Sequence, residues 1–419
     1  MHKLLLHLCA AGLAAAPLPI DPSGWRPWAA RPEIAPRTFV DTVHARRPAG
    51  SLAISGNGNA AGYGGWEYPL SGIQAGQWYR FTAFYRAAGP ISEAEQVIAR
   101  LDWRAANGKR AGQPDYAWTV KSEGEWKRLT LDAPAPEKAD AVTLQLYLAN
   151  APQATLWWDE VSLEPIDAPA RRPVTVAAIN FRPSQGLSAA ENVRRFAETV
   201  EKTVTGKADI ILLPEGITLV GTGKKYADVA ETVPGPTTEQ LGELARRKRA
   251  WIVAGIIERE GAAIYNTAVL IDRAGKVSGK YRKVYLPREE IEGGLTPGND
   301  YPVFETDFGK VGVMICWDVQ YADPARALAV RGAELILMPI WGGNEALGKA
   351  RAIENHVFLA TSGYGYPTYV MDPDGEILSL AREVGSAATA TIDLNRRYPD
   401  PWLGDMRARF MKELRRDLR

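Results

Sequence analysis

The stretch VGVMICWD at residues 311–318 predicts a buried strand that ends in a cysteine. Most of its residues are apolar or β-branched, which is the pattern of a strand in a largely parallel sheet covered on both faces. Shortly after it, Asp323 and Pro324 are typical of a helix start, with Asp as the cap and Pro at the first position. Cys316 is therefore predicted at a strand-to-helix turn. There a nucleophile can stand clear of the sheet, beside backbone N–H groups that bind an oxyanion.

The chain has two cysteines, and the first lies in a predicted export signal. In residues 1–16, Lys3 precedes an apolar run that ends in small residues. This is the pattern of a secretory signal peptide, and it is too short to cross a bilayer comfortably. We therefore expect a secreted or periplasmic protein that keeps Cys316 without an intramolecular disulfide partner. The presence of a free thiol in an oxidising compartment favours a chemical role for Cys316. The alternative is that Cys316 is a small, inert core residue.

Composition argues against several kinds of partner and cofactor. About 400 residues follow the signal, more than one comfortable core, which predicts two domains. A net charge of +1 with 24% charged residues argues against a nucleic acid as partner. The mature chain shows no membrane span, no Gly-rich phosphate loop and no clustered metal ligands, so we expect no cofactor and no metal. Beyond the signal the histidines are His44 and His356, which directs attention to Lys and Glu as partners of the thiol.

Residues 25–165 have the pattern of a separate β domain. They hold nine of the thirteen tryptophans, in short alternating runs separated by Gly, Pro, Asn and Asp clusters, which predicts an antiparallel β-sandwich. The run ATLWWDEVSL at 154–163 resembles the last strand of galactose-binding-like jelly rolls, the fold of many carbohydrate-binding modules. That resemblance implies a jelly roll with a glycan as a further partner. The alternative is that these aromatic residues are core, as they more often are in β domains.

A change of pattern follows the β domain. Residues 166–173 are rich in Pro and Ala, which predicts a linker. Beyond them strands alternate with helices, which predicts an α/β layered catalytic domain over residues 174–419. The helices predicted there include one at 187–204 and a terminal one at 405–419.

Three predicted strands of this second domain end in reactive residues. Glu215 follows the apolar run IILLP, Lys283 ends the run GKYRK, and Cys316 ends the strand described above. Catalytic groups in open α/β sheets gather at the carboxyl ends of strands, so we expect these three side chains to meet. A thiol near its usual pKa of about 8.5 is mostly protonated at neutral pH, and a base or a positive charge nearby would activate it.

The motifs around these residues resemble those of the nitrilase superfamily of carbon-nitrogen hydrolases. LPE at 213–215, YRK at 281–283 and CWD at 316–318 occur in the order and at the spacing of that superfamily. The resemblance implies an α-β-β-α sandwich, a homodimer and a Glu-Lys-Cys triad. In that triad Cys316 would carry the acyl group as a thioester and Glu215 would move the protons. Lys283 and the backbone N–H of Trp317 would bind the oxyanion.

The superfamily also carries a second glutamate that orients the lysine and the substrate. We favour Glu292 for this role, because Ile-Glu-Gly leading to Pro-Gly is similar to the amidase form of the loop. Glu290 remains the alternative. Tyr285 and Trp341 are predicted to form the wall of the substrate pocket, and packing alone is the other interpretation for each.

Asp318 stands where true nitrilases have a glutamate, which makes the site more similar to amidases and N-carbamoyl hydrolases. We predict that Asp318 forms ion pairs behind the site together with Arg326, Arg351 and Glu354. The sequence thus predicts a secreted amidase or N-carbamoyl amidohydrolase acting on small molecules. The alternatives are nitrile hydrolysis, amide-forming acyl transfer through the same thioester, and a glycan-binding protein with a relic active site.

Overall fold

A computed structural model describes residues 22–414, which form two compact units. One unit comprises the described residues up to Ala170 together with those from Pro399 onward, and the other comprises Arg171–Tyr398. The predicted signal peptide at residues 1–16 lies outside the described residues. Within 22–414, no helix is both long enough and apolar enough to cross a bilayer.

The first unit contains two antiparallel sheets around one core. Its strands are β1 (Arg26–Ala29), β2 (Arg37–Asp41), β3 (Ser51–Ser55), β4 (Tyr63–Ser71), β5 (Trp78–Ala88), β6 (Val97–Arg104), β7 (Asp115–Tyr116), β8 (Thr119–Glu123), β9 (Trp126–Pro134), β10 (Ala141–Ala149) and β11 (Thr155–Ile166), with a short helix α1 (Glu93–Gln96) before β6. One sheet has the order β1-β4-β10-β6-β7 and the other β2-β3-β11-β5-β9-β8. Two antiparallel sheets on a shared core are the β-sandwich predicted for residues 25–165.

Most of the tryptophans of this unit pack in its interior. Trp158 on β11 is fully buried in the core between the sheets, and Trp157, its neighbour in sequence, packs on the opposite face of the same strand. Six of the nine tryptophans in residues 25–165 are buried: Trp25, Trp66, Trp103, Trp126, Trp157 and Trp158. Packing therefore explains most of the aromatic pattern, and binding of a glycan stays a prediction.

The second unit contains two six-stranded sheets and six α-helices. Its strands are β12 (Pro173–Asn180), β13 (Ile210–Leu212), β14 (Trp251–Glu260), β15 (Ala263–Ile271), β16 (Val277–Arg282), β17 (Val303–Glu305), β18 (Lys310–Val313), β19 (Leu335–Pro339), β20 (Phe358–Ser362), β21 (Thr368–Met371), β22 (Ile377–Ala381) and β23 (Ser386–Asp393). Its helices are α2 (Ala189–Thr203), α3 (Tyr226–Val229), α4 (Pro236–Lys248), α5 (Arg288–Glu292), α6 (Asp323–Val330) and α7 (Glu345–Asn355). One sheet has the order β16-β15-β14-β13-β12-β23 and the other β17-β18-β19-β20-β21-β22.

These elements form the layers expected of an α-β-β-α sandwich. The two sheets share an apolar core, and each has three parallel strands at its centre. Helices α2 and α4 pack on the outer face of the first sheet through a second apolar cluster. Helices α6 and α7 contact the second sheet through β18 and β20. Residues 311–313 of β18 and all of β19 are buried and apolar, as expected of central strands covered on both faces.

The catalytic unit ends before the predicted domain boundary. Two short strands, β24 (Pro399–Asp400) and β25 (Gly404–Asp405), lead into α8 (Met406–Glu413), which Asp405 caps at its N-terminus. These residues group with the β-sandwich, so the predicted range of 174–419 for the catalytic domain is too long at its end. The physical reason is a buried lysine: Lys412 Nζ donates to the carbonyl oxygens of Val97 (2.6 Å) and Glu93 (3.4 Å).

Replacing Lys412 with Met should destabilise the β-sandwich. The variant keeps an apolar stem but removes the donor to the buried carbonyl oxygen of Val97, which costs about 1–3 kcal/mol in the free energy of unfolding. Urea denaturation followed by tryptophan fluorescence measures this, because most tryptophans lie in this unit. The exposed Lys138→Met on the same unit is the control, and an equal loss in both variants would contradict the anchoring role of Lys412.

Candidate active site

Three strands deliver the predicted triad to one place. Glu215 follows β13 and Lys283 directly follows β16 of the first sheet, whereas Cys316 follows β18 of the second sheet. Strand β16 is antiparallel to β15, which is antiparallel to β14, so β16 ends at the same edge as the parallel strands β13 and β14. Lys283 Nζ lies 2.9 Å from Glu215 Oε1, and both residues are buried. The structure therefore brings these side chains together as the motifs predicted.

Charges in this cluster shift the titration of the thiol. Burial, followed by the negative charge of Glu215, raises the pKa of the Cys316 thiol to about 12, and the Lys283 ammonium opposes that shift. Burial also disfavours the ammonium of Lys283, but the charges of Glu215, Cys316 and Glu290 outweigh it and raise the pKa of Lys283. At neutral pH the cluster therefore holds a protonated lysine beside a protonated thiol.

The second glutamate at Lys283 is Glu290. Glu290 Oε1 lies 2.7 Å from Lys283 Nζ, whereas the side chain of Glu292 is 68% exposed and pairs with Arg288 at 3.7 Å. The prediction of Glu292 is thus wrong, and Glu290, the alternative, is the residue that the fold places in the site. Both lie on α5, where residues two apart point in nearly opposite directions, so only one of them can face the lysine. Burial and the nearby Glu215 raise the pKa of Glu290, although Lys283 opposes the shift.

Asn266 is part of the same cluster and was absent from the sequence prediction. It lies on β15, and its Nδ2 donates to Glu215 Oε1 at 2.7 Å and to Glu290 Oε1 at 3.1 Å. Its backbone oxygen accepts from the N–H of Lys283 at 2.9 Å. A signal was present in the sequence, because an amide in a mostly apolar strand requires polar partners once it is buried.

Comparison with known proteins decides the family of this chain. A family model described as carbon-nitrogen hydrolase matches residues 175–401, more than half of the chain. The chain belongs to the carbon-nitrogen hydrolase family. It is therefore an enzyme that hydrolyses carbon-nitrogen bonds, and the nitrilase superfamily suggested by the three motifs is confirmed.

Several characterised proteins are similar to this hydrolase over the same region. Omega-amidase NIT2 of Danio rerio is 31% identical over 263 residues, which cover 55% of this chain and 91% of that protein. Omega-amidase NIT2 of Homo sapiens is 29% identical over 236 residues, covering 49% and 84%. Among solved structures, Nit3 of Saccharomyces cerevisiae is 23% identical with a TM-score of 0.48, covering 53% of this chain and 90% of that one. An amidase from Nesterenkonia sp. AN1 is 24% identical with a TM-score of 0.46, covering 53% and 90%.

A buried carboxylate shapes the turn that carries the thiol of the hydrolase. Cys316 has a φ of 43°, in the left-handed region that few residues other than glycine adopt, and a 3-10 helix runs over Cys316–Gln320. Asp318 Oδ2 accepts from the N–H of Ile315 (2.8 Å) and from the hydroxyl of Tyr281 (2.7 Å), and its Oδ1 accepts from the N–H of Tyr285 (3.0 Å). Asp318 thereby ties the cysteine turn to the loop that carries the lysine.

The polar groups behind the site differ from the predicted set of ion pairs. Asp318 is fully buried and is held by a phenol and backbone amides, and burial raises its pKa to about 6. Arg351 pairs with Glu354 at 2.8 Å as predicted, and its Nη2 donates to the carbonyl oxygen of Val319 at 2.9 Å. Arg326 lies on the exposed side of α6. Neutral donors suffice for Asp318 because they satisfy the carboxylate without burying a second charge.

Trp341 lies beside the nucleophile, whereas Tyr285 belongs to a neighbouring aromatic group. The carbonyl oxygen of Gly342, the residue after Trp341, lies 3.8 Å from Cys316 Sγ. The Tyr285 ring stacks on Tyr321 with centroids 4.0 Å apart, and its hydroxyl donates to Asp323 Oδ2 at 2.7 Å. A substrate contact by either aromatic residue, and an oxyanion contact by the N–H of Trp317, stay predictions.

Tyr364 is a second residue that sequence reasoning missed. Its hydroxyl donates to the backbone oxygen of Glu215 at 2.9 Å, and its ring meets that of Trp341 edge-on with centroids 5.0 Å apart. The guanidinium of Arg182 lies 5.8 Å from the same ring. In sequence Tyr364 follows Ser-Gly at the end of a strand, where nothing distinguishes it from a loop residue.

Within residues 22–414, no group of three or more His, Cys, Asp or Glu side chains is arranged to hold a metal ion.

Exchanging each of the two candidate glutamates for glutamine should separate their roles. We expect Glu290→Gln to lower kcat about 100-fold, because it removes a charge that positions Lys283. Glu292→Gln, at an exposed position, should stay within about two-fold of the parent. Rates of ammonia release from a panel of small amides provide the measurement. Equal losses in the two variants would contradict the assignment of Glu290.

Removing the charge of Glu215 should make the thiolate easier to form. In the unaltered enzyme, ultraviolet thiolate absorbance should appear only at strongly alkaline pH, because the pKa of Cys316 is raised to about 12. In Glu215→Gln the negative charge that contributes to this shift is gone, so the absorbance should appear at lower pH while amide hydrolysis falls. Glu292→Gln should titrate as the parent does. A thiolate already formed at neutral pH in the parent would contradict the inferred cluster.

Proposed function

We propose that this hydrolase cleaves small linear amides or N-carbamoyl compounds through a thioester on Cys316. The observation that carries the proposal is the buried cluster in which Lys283 Nζ lies 2.9 Å from Glu215 Oε1, next to a thiol whose pKa responds to both charges. The similarity to proteins named omega-amidases supports an amide as the substrate. Aspartate at position 318, where true nitrilases have glutamate, supports the same choice.

Acylation of the thiol would come first. Cys316 Sγ attacks the carbonyl carbon while Glu215 takes the thiol proton, and the carbonyl π electrons move to oxygen. Lys283 and the backbone N–H of Trp317 stabilise that oxyanion. The C–N bond then breaks, Glu215 returns its proton to the nitrogen, and the amine or ammonia leaves behind a thioester. Because the pKa of the thiol is raised, we infer that its proton moves to Glu215 during the attack and that no thiolate forms beforehand.

Hydrolysis of the thioester would complete the cycle. Glu215, again unprotonated, takes a proton from water as the water oxygen attacks the acyl carbon. The tetrahedral intermediate collapses with the C–S bond breaking, the acid leaves, and the sulfur recovers the proton from Glu215. Each proton that Glu215 accepts is returned, so the enzyme ends the cycle as it began.

Export and dimer formation belong to the same proposal. The apolar N-terminal segment supports export to the periplasm or the cell exterior. The resemblance to a superfamily of dimers supports association of two copies. The β-sandwich is then carried outside the cytoplasm with the catalytic domain.

The thioester should be detectable by mass spectrometry. Glu215→Gln incubated with a small primary amide should accumulate an acyl adduct on the tryptic peptide that contains Cys316, because loss of the base slows water attack on the thioester more than acylation, for which Lys283 still favours the thiolate. Cys316→Ala should show neither adduct nor turnover. Full hydrolysis by Cys316→Ala would overturn the nucleophile. Consumption of nitriles in preference to amides, or transfer of the acyl group to added amines in place of water, would overturn the proposed reaction class.

A further inference from the structure

Two donors hold one oxygen of each glutamate in the cluster. Lys283 Nζ and Asn266 Nδ2 both donate to Glu215 Oε1 (2.9 and 2.7 Å) and both donate to Glu290 Oε1 (2.7 and 3.1 Å). Donors and acceptors thus alternate around a closed ring of four side chains. One donor is charged and the other is neutral, so the amide adds a constraint on geometry without adding charge.

The same ring leaves a set of buried acceptors unused. Glu215 Oε2, Glu290 Oε2 and Asn266 Oδ1 are buried, and none has a hydrogen-bond partner among the described residues. A buried acceptor without a donor is unfavourable, and such atoms in a native protein point to a ligand or a functional role. Three acceptors on three neighbouring side chains suit a group that carries several N–H bonds.

We propose that Asn266 is a positioning residue that holds Oε1 of Glu215 and Oε1 of Glu290. The Oε2 atoms of both glutamates then face the reacting nitrogen and select an amide nitrogen that bears hydrogens. This deepens the proposed function and rests on it for the identity of the reacting group. Unsubstituted amides and the terminal amide of ureido compounds carry two N–H bonds on that nitrogen. An N,N-dialkyl amide or a nitrile carries none, and its nitrogen would leave the buried oxygens unsatisfied.

Asn266 is suited to this role by its chemistry. A carboxamide donates two hydrogens from one nitrogen, so a single atom can serve both carboxylates. It stays neutral across the pH range and takes no part in proton transfer. Without it, each carboxylate could rotate and present either oxygen to Lys283, and the oxygen that receives the thiol proton would no longer be defined.

Alkylation of Cys316 tests the acceptor arrangement without cleavage of any C–N bond. The probes are 2-chloroacetamide and N,N-dimethyl-2-chloroacetamide, with each rate divided by the rate of the same probe with free cysteine. We expect the unaltered enzyme to prefer the unsubstituted probe by about 100-fold after this correction, because the dimethyl probe brings no N–H to the site. A corrected ratio near one in the unaltered enzyme would overturn the proposal.

Variants then test whether Asn266 creates that preference. In Asn266→Ala the corrected ratio should fall to within a few-fold of one. The matched control is Asn192→Ala, which removes another fully buried asparagine whose Nδ2 donates to a backbone carbonyl oxygen (Val220, 2.6 Å). Both variants lose a buried hydrogen bond, but Asn192→Ala should keep the parental ratio. An unchanged ratio in Asn266→Ala, or equal losses in both variants, would overturn the positioning role.

Hydrolysis of propionamide and its N-methyl and N,N-dimethyl derivatives separates this inference from the proposed function. We expect turnover to fall as N–H bonds are removed, and kcat for propionamide to fall about 100-fold in Asn266→Ala with a smaller change in KM. Selective alkylation without hydrolysis of any amide would overturn the proposed function and keep the acceptor site. Hydrolysis of all three amides at similar rates would overturn the acceptor site and keep the proposed function.

Discussion

The site of this hydrolase depends on one buried ammonium group held between two carboxylates. Lys283 is 1% exposed, and leaving such a charge unpaired in the interior would cost several kcal/mol. Glu215 at 2.9 Å and Glu290 at 2.7 Å offset that cost. The requirement explains why three separate elements converge there: strand β16 delivers the lysine, the end of β13 delivers one glutamate and α5 delivers the other. Because the two carboxylates repel each other, each also depends on the lysine.

The thiol is placed by a second set of constraints that lie behind the site. Asp318 binds the N–H of Ile315 on one side of the cysteine turn and the N–H of Tyr285 in the lysine loop on the other. A strained turn at Cys316, with a φ of 43°, is thereby connected to the sheet that carries Lys283. Each sheet supplies part of the chemistry, and the buried carboxylate links the two parts. Burial and the charge of Glu215 also raise the pKa of the Cys316 thiol to about 12, although the Lys283 ammonium opposes the shift.

The β-sandwich is organised around apolar and aromatic packing, unlike the buried charges of the catalytic site. Its strands alternate between faces, and its tryptophans mainly fill the core between and behind the two sheets. Helix α8, the last one within residues 22–414, belongs to this unit and places Lys412 against the start of β6. The chain therefore leaves the sandwich at Ala170 and comes back to it at Pro399, so the catalytic unit is an insertion within it in sequence terms. Charge patterning alone gave no sign of this, since the basic residues of α8 are those of an ordinary exposed helix.

The sequence by itself indicated the three candidate catalytic residues, the α/β layering of the catalytic unit and the β-sandwich of the first unit. Those features rest on contiguous signals, namely apolar strands that end in Glu215, Lys283 and Cys316 and short alternating runs in residues 25–165. Tertiary structure alone decided which glutamate faces the lysine: the sequence motif favoured Glu292, but Glu290 is the one that α5 directs toward Lys283. It also decided the roles of Asn266 and Tyr364 and the place of α8. For Asn266, Tyr364 and α8 a partner lies 51 or more residues away in sequence, so the hydrogen bond exists only once the chain has folded.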